Sequence, residues 1–175
     1  MKEHKLGEII FSREQIEARA EEIGRQISED FRGESVILVG ILRGAVMWLS
    51  QVLKSIDLDV EIDFMAVSSY GDATRSSGIV KINKDLESSI EGRNVIIVED
   101  IVDSGVTLSY LVDIFKSRNP KSLKICALLS KPSRRIAHLD IDYLGFEVDD
   151  VFIVGYGLDL AQHYRNLPYV TSVLE

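Results

Sequence analysis

VIIVEDIVDSGVTL, residues 95–108, joins four apolar residues to two acids, two more apolar residues and then D-S-G-x-T. Val95–Val98 form an apolar run that suits a strand covered on both faces. Leu108, Leu111, Val112 and Phe115 recur at helical spacing, so a helix starts inside the stretch. A helix start leaves backbone N–H groups unpaired and carries the positive end of the helix dipole. The N–H groups of residues 104–107 can therefore converge on one anion. Ser104 and Thr107 add hydroxyl donors, and Gly105 lets the anion approach the backbone. A phosphate monoester fits this cup. Yet the stretch holds Glu99, Asp100 and Asp103 and no lysine. Ionised carboxylates only accept hydrogen bonds, so these acids suit a vicinal diol or a ligand that brings Mg²⁺. A ribose 5-phosphate meets both needs, with its phosphate on the amides and its hydroxyls at Glu99 and Asp100. Any one acid near a helix start can equally be a cap contributing about 0.3–1 kcal/mol; the whole string carries the ligand reading.

Working outward, strands and helices alternate. Ser12 and Gln15 have capping-box spacing, and Ile16, Ala20, Ile23, Ile27 and Phe31 line one face of the helix that follows. VILVGIL (36–42) reads as a buried strand, and Ala45, Trp48, Leu49, Val52, Leu53 and Ile56 as a helical stripe. VEIDFMAVSS (60–69) and IVKIN (79–83) read as a strand and a returning strand. KICALLS (124–130) and DVFIVGY (150–156) read as later core strands, and YVTSVLE (169–175) as a short last one. This order predicts a single α/β domain over 1–175 with a mainly parallel central sheet flanked by helices. Ligands bind beyond the carboxyl ends of such strands. That rule selects LRGA, EDIVDSGVT, SKPSRR and GYGLDLAQHYR, all expected at one edge of the sheet. The polar stretch around YGDATRSSG has the composition of a mobile loop.

Composition narrows the function. The chain has 175 residues, 46% hydrophobic and 27% charged, as a globular domain does. A net charge of −8 argues against a nucleic-acid or anionic-membrane binder, which needs a basic face. Cys126, alone in an apolar run, reads as a buried core thiol and suits a reducing compartment. No signal-peptide pattern opens the sequence, and no apolar run is long enough to span a bilayer. A cytoplasmic protein is expected. The chain contains no G-x-x-x-x-G-K-[ST] string, and GYGLDL lacks the third glycine of a dinucleotide fingerprint. His4, His138 and His163 do not have metal-ligand spacing.

Residues 95–108 closely resemble the 5-phosphoribosyl-1-pyrophosphate (PRPP) signature of the type I phosphoribosyltransferases. From about residue 34 onward the resemblance narrows to the hypoxanthine-guanine phosphoribosyltransferases of the compact bacterial kind. It rests on ILRGA (41–45), SSYGDATRSSG (68–78), VEDIVDSGVTL (98–108), LLSKPSRR (128–135) and VDDVFIVGYGLDLAQHYRNLPYV (148–170). The resemblance implies a type I phosphoribosyltransferase fold with a small hood and a mobile lid loop over 68–78. It implies transfer of phosphoribosyl from PRPP to hypoxanthine or guanine, giving IMP or GMP plus pyrophosphate, with Mg²⁺. Members are dimers or tetramers, so a homodimer or homotetramer is expected.

Residue by residue, the resemblance implies that Glu99, Asp100, Asp103, Ser104, Gly105, Val106 and Thr107 hold the 5′-phosphate and ribose. Arg43 and Gly44 would meet pyrophosphate through their backbone N–H groups, next to a cis bond before Arg43. Arg165 would be a second pyrophosphate ligand, and Ser69 and Tyr70 would approach when the lid closes. Lys131 would donate to the purine 6-oxo group, Phe152 would stack on the ring, Ile153 would read its edge through backbone atoms, and Asp159 would lie beside it. Glu99, Asp100 and Asp159 would hold the metal. Asp103 would exchange a proton with purine N7. An ammonium has only donors, so Lys131 implies rejection of adenine. Arg43 departs from the lysine of many relatives, which matters little if its backbone does the binding. Xanthine is the rival base. A nucleotide-sensing regulator on the same fold is the rival class, disfavoured by 28 acids against 20 Lys and Arg. The first 33 residues carry no assigned site.

Overall fold

Alternation along the central strands decides which side chains meet which helices. The computed structural model describes residues 5–69 and 80–174. In chain order its elements are β1 (Lys5–Phe11), α1 (Arg13–Asp30), β2 (Val36–Leu42), α2 (Val46–Leu53), β3 (Val60–Ser69), β4 (Val80–Lys84) and β5 (Asn94–Val102). Then come α3 (Val106–Ser117), β6 (Ser122–Ser130), β7 (Tyr143–Glu147), β8 (Ile153–Val154) and β9 (Val170–Leu174). Six strands form one sheet in the order β4-β3-β2-β5-β6-β7. All its pairs are parallel except β3 with β4. A second, antiparallel sheet has the order β1-β9-β8.

Leu38, Ile96 and Leu128 face one layer, where Ile16, Ile23, Ile27, Trp48 and Val52 of α1 and α2 cover them. Their neighbours Val39, Ile97 and Ala127 face the other layer, under Leu108, Leu111 and Phe115 of α3. Each fully buried large side chain contributes about 1.5–3 kcal/mol through removal from water. The capping box forms as its spacing predicts: Ser12 Oγ accepts from the Gln15 N–H, and Gln15 Oε1 accepts from the Ser12 N–H. Cys126 is fully buried, and burial pushes its thiol up to about 12, so it stays protonated.

The structure corrects the strand assignment in three places. Residues 5–11, for which the sequence pattern predicts no element, form β1 of the second sheet. The parallel strand beside β6 is β7, not DVFIVGY. Of that run only Ile153–Val154 is strand, and it lies in the second sheet. α2 ends at Leu53, before the Ile56 of its expected stripe. The mobile-loop reading at 68–78 falls almost wholly outside the described residues. Among the described residues, no helix is long and apolar enough to cross a membrane.

Candidate active site

The carboxyl ends of β2, β5 and β6 open on one edge, and the turn after β8 reaches the same edge from the second sheet. At the end of β2 the Leu42–Arg43 peptide is cis, at the position expected for it. Gly44 is buried with its Cα against Asp100; a Cβ there would collide with the Asp100 carboxylate. Gly157, from the turn after β8, sits against the Gly44 carbonyl so closely that a Cβ would collide with it. Arg43 and Arg165 both donate to Gln162 Oε1, at 3.0 and 3.1 Å. Arg165 also donates to the Gly157 carbonyl at 2.7 Å and pairs with Asp159 Oδ1 at 2.7 Å. Asp159 Oδ2 accepts from the Gln162 N–H at 2.8 Å. The Arg165 Nε is buried without a partner among the described residues.

Glu99 and Asp100 are adjacent on a strand, so they point to opposite faces. Glu99 lines a cavity of about 200 Å³ with Ile101, Val102, Asp103, Ser104, Gly105 and Thr107. Asp100 turns to Gly44 and feels the charges of Arg165 and Asp159. Burial, reinforced by the Asp100 charge, pushes the Glu99 carboxyl well above the usual carboxylate range. Burial also raises Asp100, opposed by the Ile101 N–H, which donates to its Oδ1 at 2.7 Å, and by Arg165. Among the described residues, no three His, Cys, Asp or Glu side chains gather to form a metal cage. The expected trio Glu99, Asp100 and Asp159 is thus not one cluster.

Gly105 begins α3 with φ +79°, a left-handed conformation that glycine adopts freely. The Ser104 carbonyl behind it accepts from the Ile136 and Ala137 N–H groups at 2.9 and 3.1 Å. Arg135 packs beneath Gly105 and donates to Ser130 Oγ at 2.7 Å. The cup is therefore braced by residues 135–137, of which only Arg135 falls within the motif LLSKPSRR.

On the other side of the edge, Lys131 is buried and donates to the Val151 carbonyl at 2.7 Å. Asp103 Oδ1 lies 2.8 Å from Arg134 Nε, an ion pair whose N–H is not aligned as a hydrogen bond. Phe152 is 54% exposed and Ile153 is 5% exposed. Phe152 is thus not packed as an aromatic of the core. The backbone of Ser69 ends β3, and Tyr70 lies outside the described residues. A cavity of about 590 Å³ is lined by Ile10, Pro132, Ser133, Glu147 and Val151 among others and holds none of the expected site residues. Chemistry and not volume locates the site.

A model of the phosphoribosyl transferase domain matches residues 7–161. The hypoxanthine-guanine phosphoribosyltransferase of Bacillus subtilis is 49% identical over 97% of this chain and 94% of its own length. The chain belongs to the hypoxanthine-guanine phosphoribosyltransferase family. It is a transferase of purine salvage. The enzyme of that name from Streptococcus agalactiae serotype V is 48% identical over the whole of this chain and 97% of its own length. The crystal structure of a Staphylococcus aureus hypoxanthine phosphoribosyltransferase superposes with a TM-score of 0.94 at 44% identity, covering 97% of this chain and 92% of that one. The architecture above is thus the type I phosphoribosyltransferase fold. Gln162, Arg134 and Arg135, which lie in the motifs GYGLDLAQHYR and LLSKPSRR but carry no assigned role there, contact residues expected at the site. A glutamine or arginine in a polar turn gives no periodic signal.

Proposed function

We propose that this phosphoribosyltransferase joins hypoxanthine or guanine to the ribose of PRPP, releasing pyrophosphate and forming IMP or GMP. The observation that carries this reading is the exposed Phe152 beside the buried Lys131 and the acid Asp103, at the edge that also holds the 104–107 cup. The base stacks on Phe152, Lys131 donates to its 6-oxo group and the backbone at Ile153 reads its edge. Lys131 leaves the Val151 carbonyl, or shares its three donors between the two acceptors. The 5′-phosphate lies on the amides and hydroxyls of Ser104–Thr107, and Glu99, on the cup's face of the strand, accepts from the ribose hydroxyls while Asp100 faces the pyrophosphate side. The amides at Arg43 and Gly44 and the fork of Arg165 hold the pyrophosphate. Ser69 and Tyr70 close over it.

In the reaction the bond from C1′ to the pyrophosphate oxygen breaks and a bond from C1′ to the base nitrogen forms. The N7 proton passes to Asp103, whose carboxylate supplies general-base help of about 10²–10⁴-fold. The donors around pyrophosphate stabilise charge as it departs, and the nearby acids offset the positive charge that develops on the ribose. The donors Asp100 and Asp159, separate from any third acid, fit an Mg²⁺ that arrives on pyrophosphate, because that ion takes one or two carboxylates plus phosphate oxygens. Bound there, Mg²⁺ supplies charge neutralisation for the leaving group. Residues 1–175 act as one catalytic domain, in the cytoplasm, as a homodimer or homotetramer.

Initial rates with PRPP and Mg²⁺ against hypoxanthine, guanine, xanthine and adenine test the reading. Hypoxanthine and guanine react and adenine stays inert. Faster turnover of xanthine reassigns the substrate. Nucleotide binding without turnover of any base makes the protein a regulator.

A further inference from the structure

Arg134 has no role in the reaction as described, yet it is the hub of the charges on the base side. Its Nε lies 2.8 Å from Asp103 Oδ1 and its Nη1 3.2 Å from Asp150 Oδ1. The same Asp150 oxygen stands 3.7 Å from Lys131 Nζ. Asp103, Arg134, Asp150 and Lys131 thus form a chain of alternating charge. Its two ends are the side chains that, on the proposed function, meet purine N7 and the 6-oxo group. Those two atoms lie on one edge of the purine ring, a fixed distance apart. A site that reads both must hold its acid and its ammonium at a matching separation.

We propose that Arg134 is a positioning residue that sets the Asp103–Lys131 spacing to this purine edge, with Asp150 as the link. The inference rests on the proposed function. The guanidinium is a rigid planar fork that engages two carboxylates at once, as a flexible ammonium does not. Arg134 meets Asp103 through Oδ1. The pairing is no folding device, because the Arg134, Asp103 and Asp150 side chains are each about half exposed and exposed pairs stabilise little. Asp150, in turn, keeps a counter-charge beside Lys131, which is 7% exposed.

The test is steady-state kinetics on the full-length enzyme carrying R134A, R134K, D150N, or R134A with D150N. The expected result is a fall of about tenfold in kcat/KM for hypoxanthine in both R134A and R134K, with the double variant no worse than the sum. The KM for PRPP and the thermal midpoint stay at wild-type values. R134K is the deciding variant, since it keeps the charge and loses the fork. Wild-type rates in R134K overturn the proposal, as does a parallel loss of PRPP affinity and thermal stability in R134A. A wild-type enzyme that turns over no 6-oxopurine overturns the proposed function and the clamp together, whereas normal wild-type turnover with an unaffected R134K overturns the clamp alone.

Discussion

The two ends of the site are built from different materials. The phosphate end is built largely on backbone, to which Arg165 and the Ser104 and Thr107 hydroxyls are added: the 104–107 amides, the Ser104 carbonyl held by two N–H groups, and Gly44 pressed against Asp100. The base end is side chains: Lys131, Phe152, Asp103, and the ion pairs through Arg134 and Asp150. Backbone donors are shared by every sequence, so an end made of them depends on chain path and tolerates side-chain change. An end made of side chains depends on identity, and selectivity among bases must reside there.

The largest expected effect falls on the base end. Asp103→Asn slows turnover about 10²–10⁴-fold while PRPP binding survives, as single-turnover rates and calorimetry would read. Unchanged turnover removes Asp103 as base. Next, Gly44→Ala forces apart the Gly44–Asp100 contact and costs about 10²-fold in kcat/KM for PRPP, an effect of chain path at the phosphate end. A mild G44A phenotype would erase the contrast between the two ends. Lys131→Ala removes a charged hydrogen bond and costs about 1.5–3 kcal/mol in 6-oxopurine discrimination, measured as the ratio of kcat/KM for hypoxanthine and adenine. Unaltered hypoxanthine affinity with adenine still rejected would take Lys131 out of base reading.

Glu99 gives a smaller effect, in stability. Its carboxyl is pushed above the ordinary value of 4.5 in the folded state, so the fold binds this proton more tightly than the unfolded chain does. Stability of the metal-free protein therefore falls as pH rises from about 4.5 through the raised value. Glu99→Gln flattens that limb and raises the thermal midpoint at neutral pH by about 2–4 °C per kcal/mol gained. Melting curves from pH 5 to 8 in EDTA would show it; parallel curves for the two proteins would sink it. Smallest is Arg43→Ala, which keeps kcat/KM for PRPP within about threefold if the backbone binds, since an exposed side chain is lost.

The sequence makes the phosphate end legible for a simple reason. Strand, turn and helix follow one another within residues 95–108, so local pattern and site coincide. Three stretches were not legible. β1 exposes Ile9 and shows no clean alternation. β7 holds Gly145 mid-strand, which breaks the apolar run that marks a core strand. The turn after β8 sets Tyr156, Ala161, Gln162 and Tyr164 at positive φ, a conformation these residue types do not announce. Arg134 was passed over because its partner Asp150 is sixteen residues away and no spacing rule connects them.

Residues 130–137 serve both ends. On the proposed function Lys131 and Arg134 stand beside the base, while Ile136 and Ala137 hold the carbonyl beneath the cup. The separation between the base-reading side chains and the phosphate cup is therefore set by one short segment of chain.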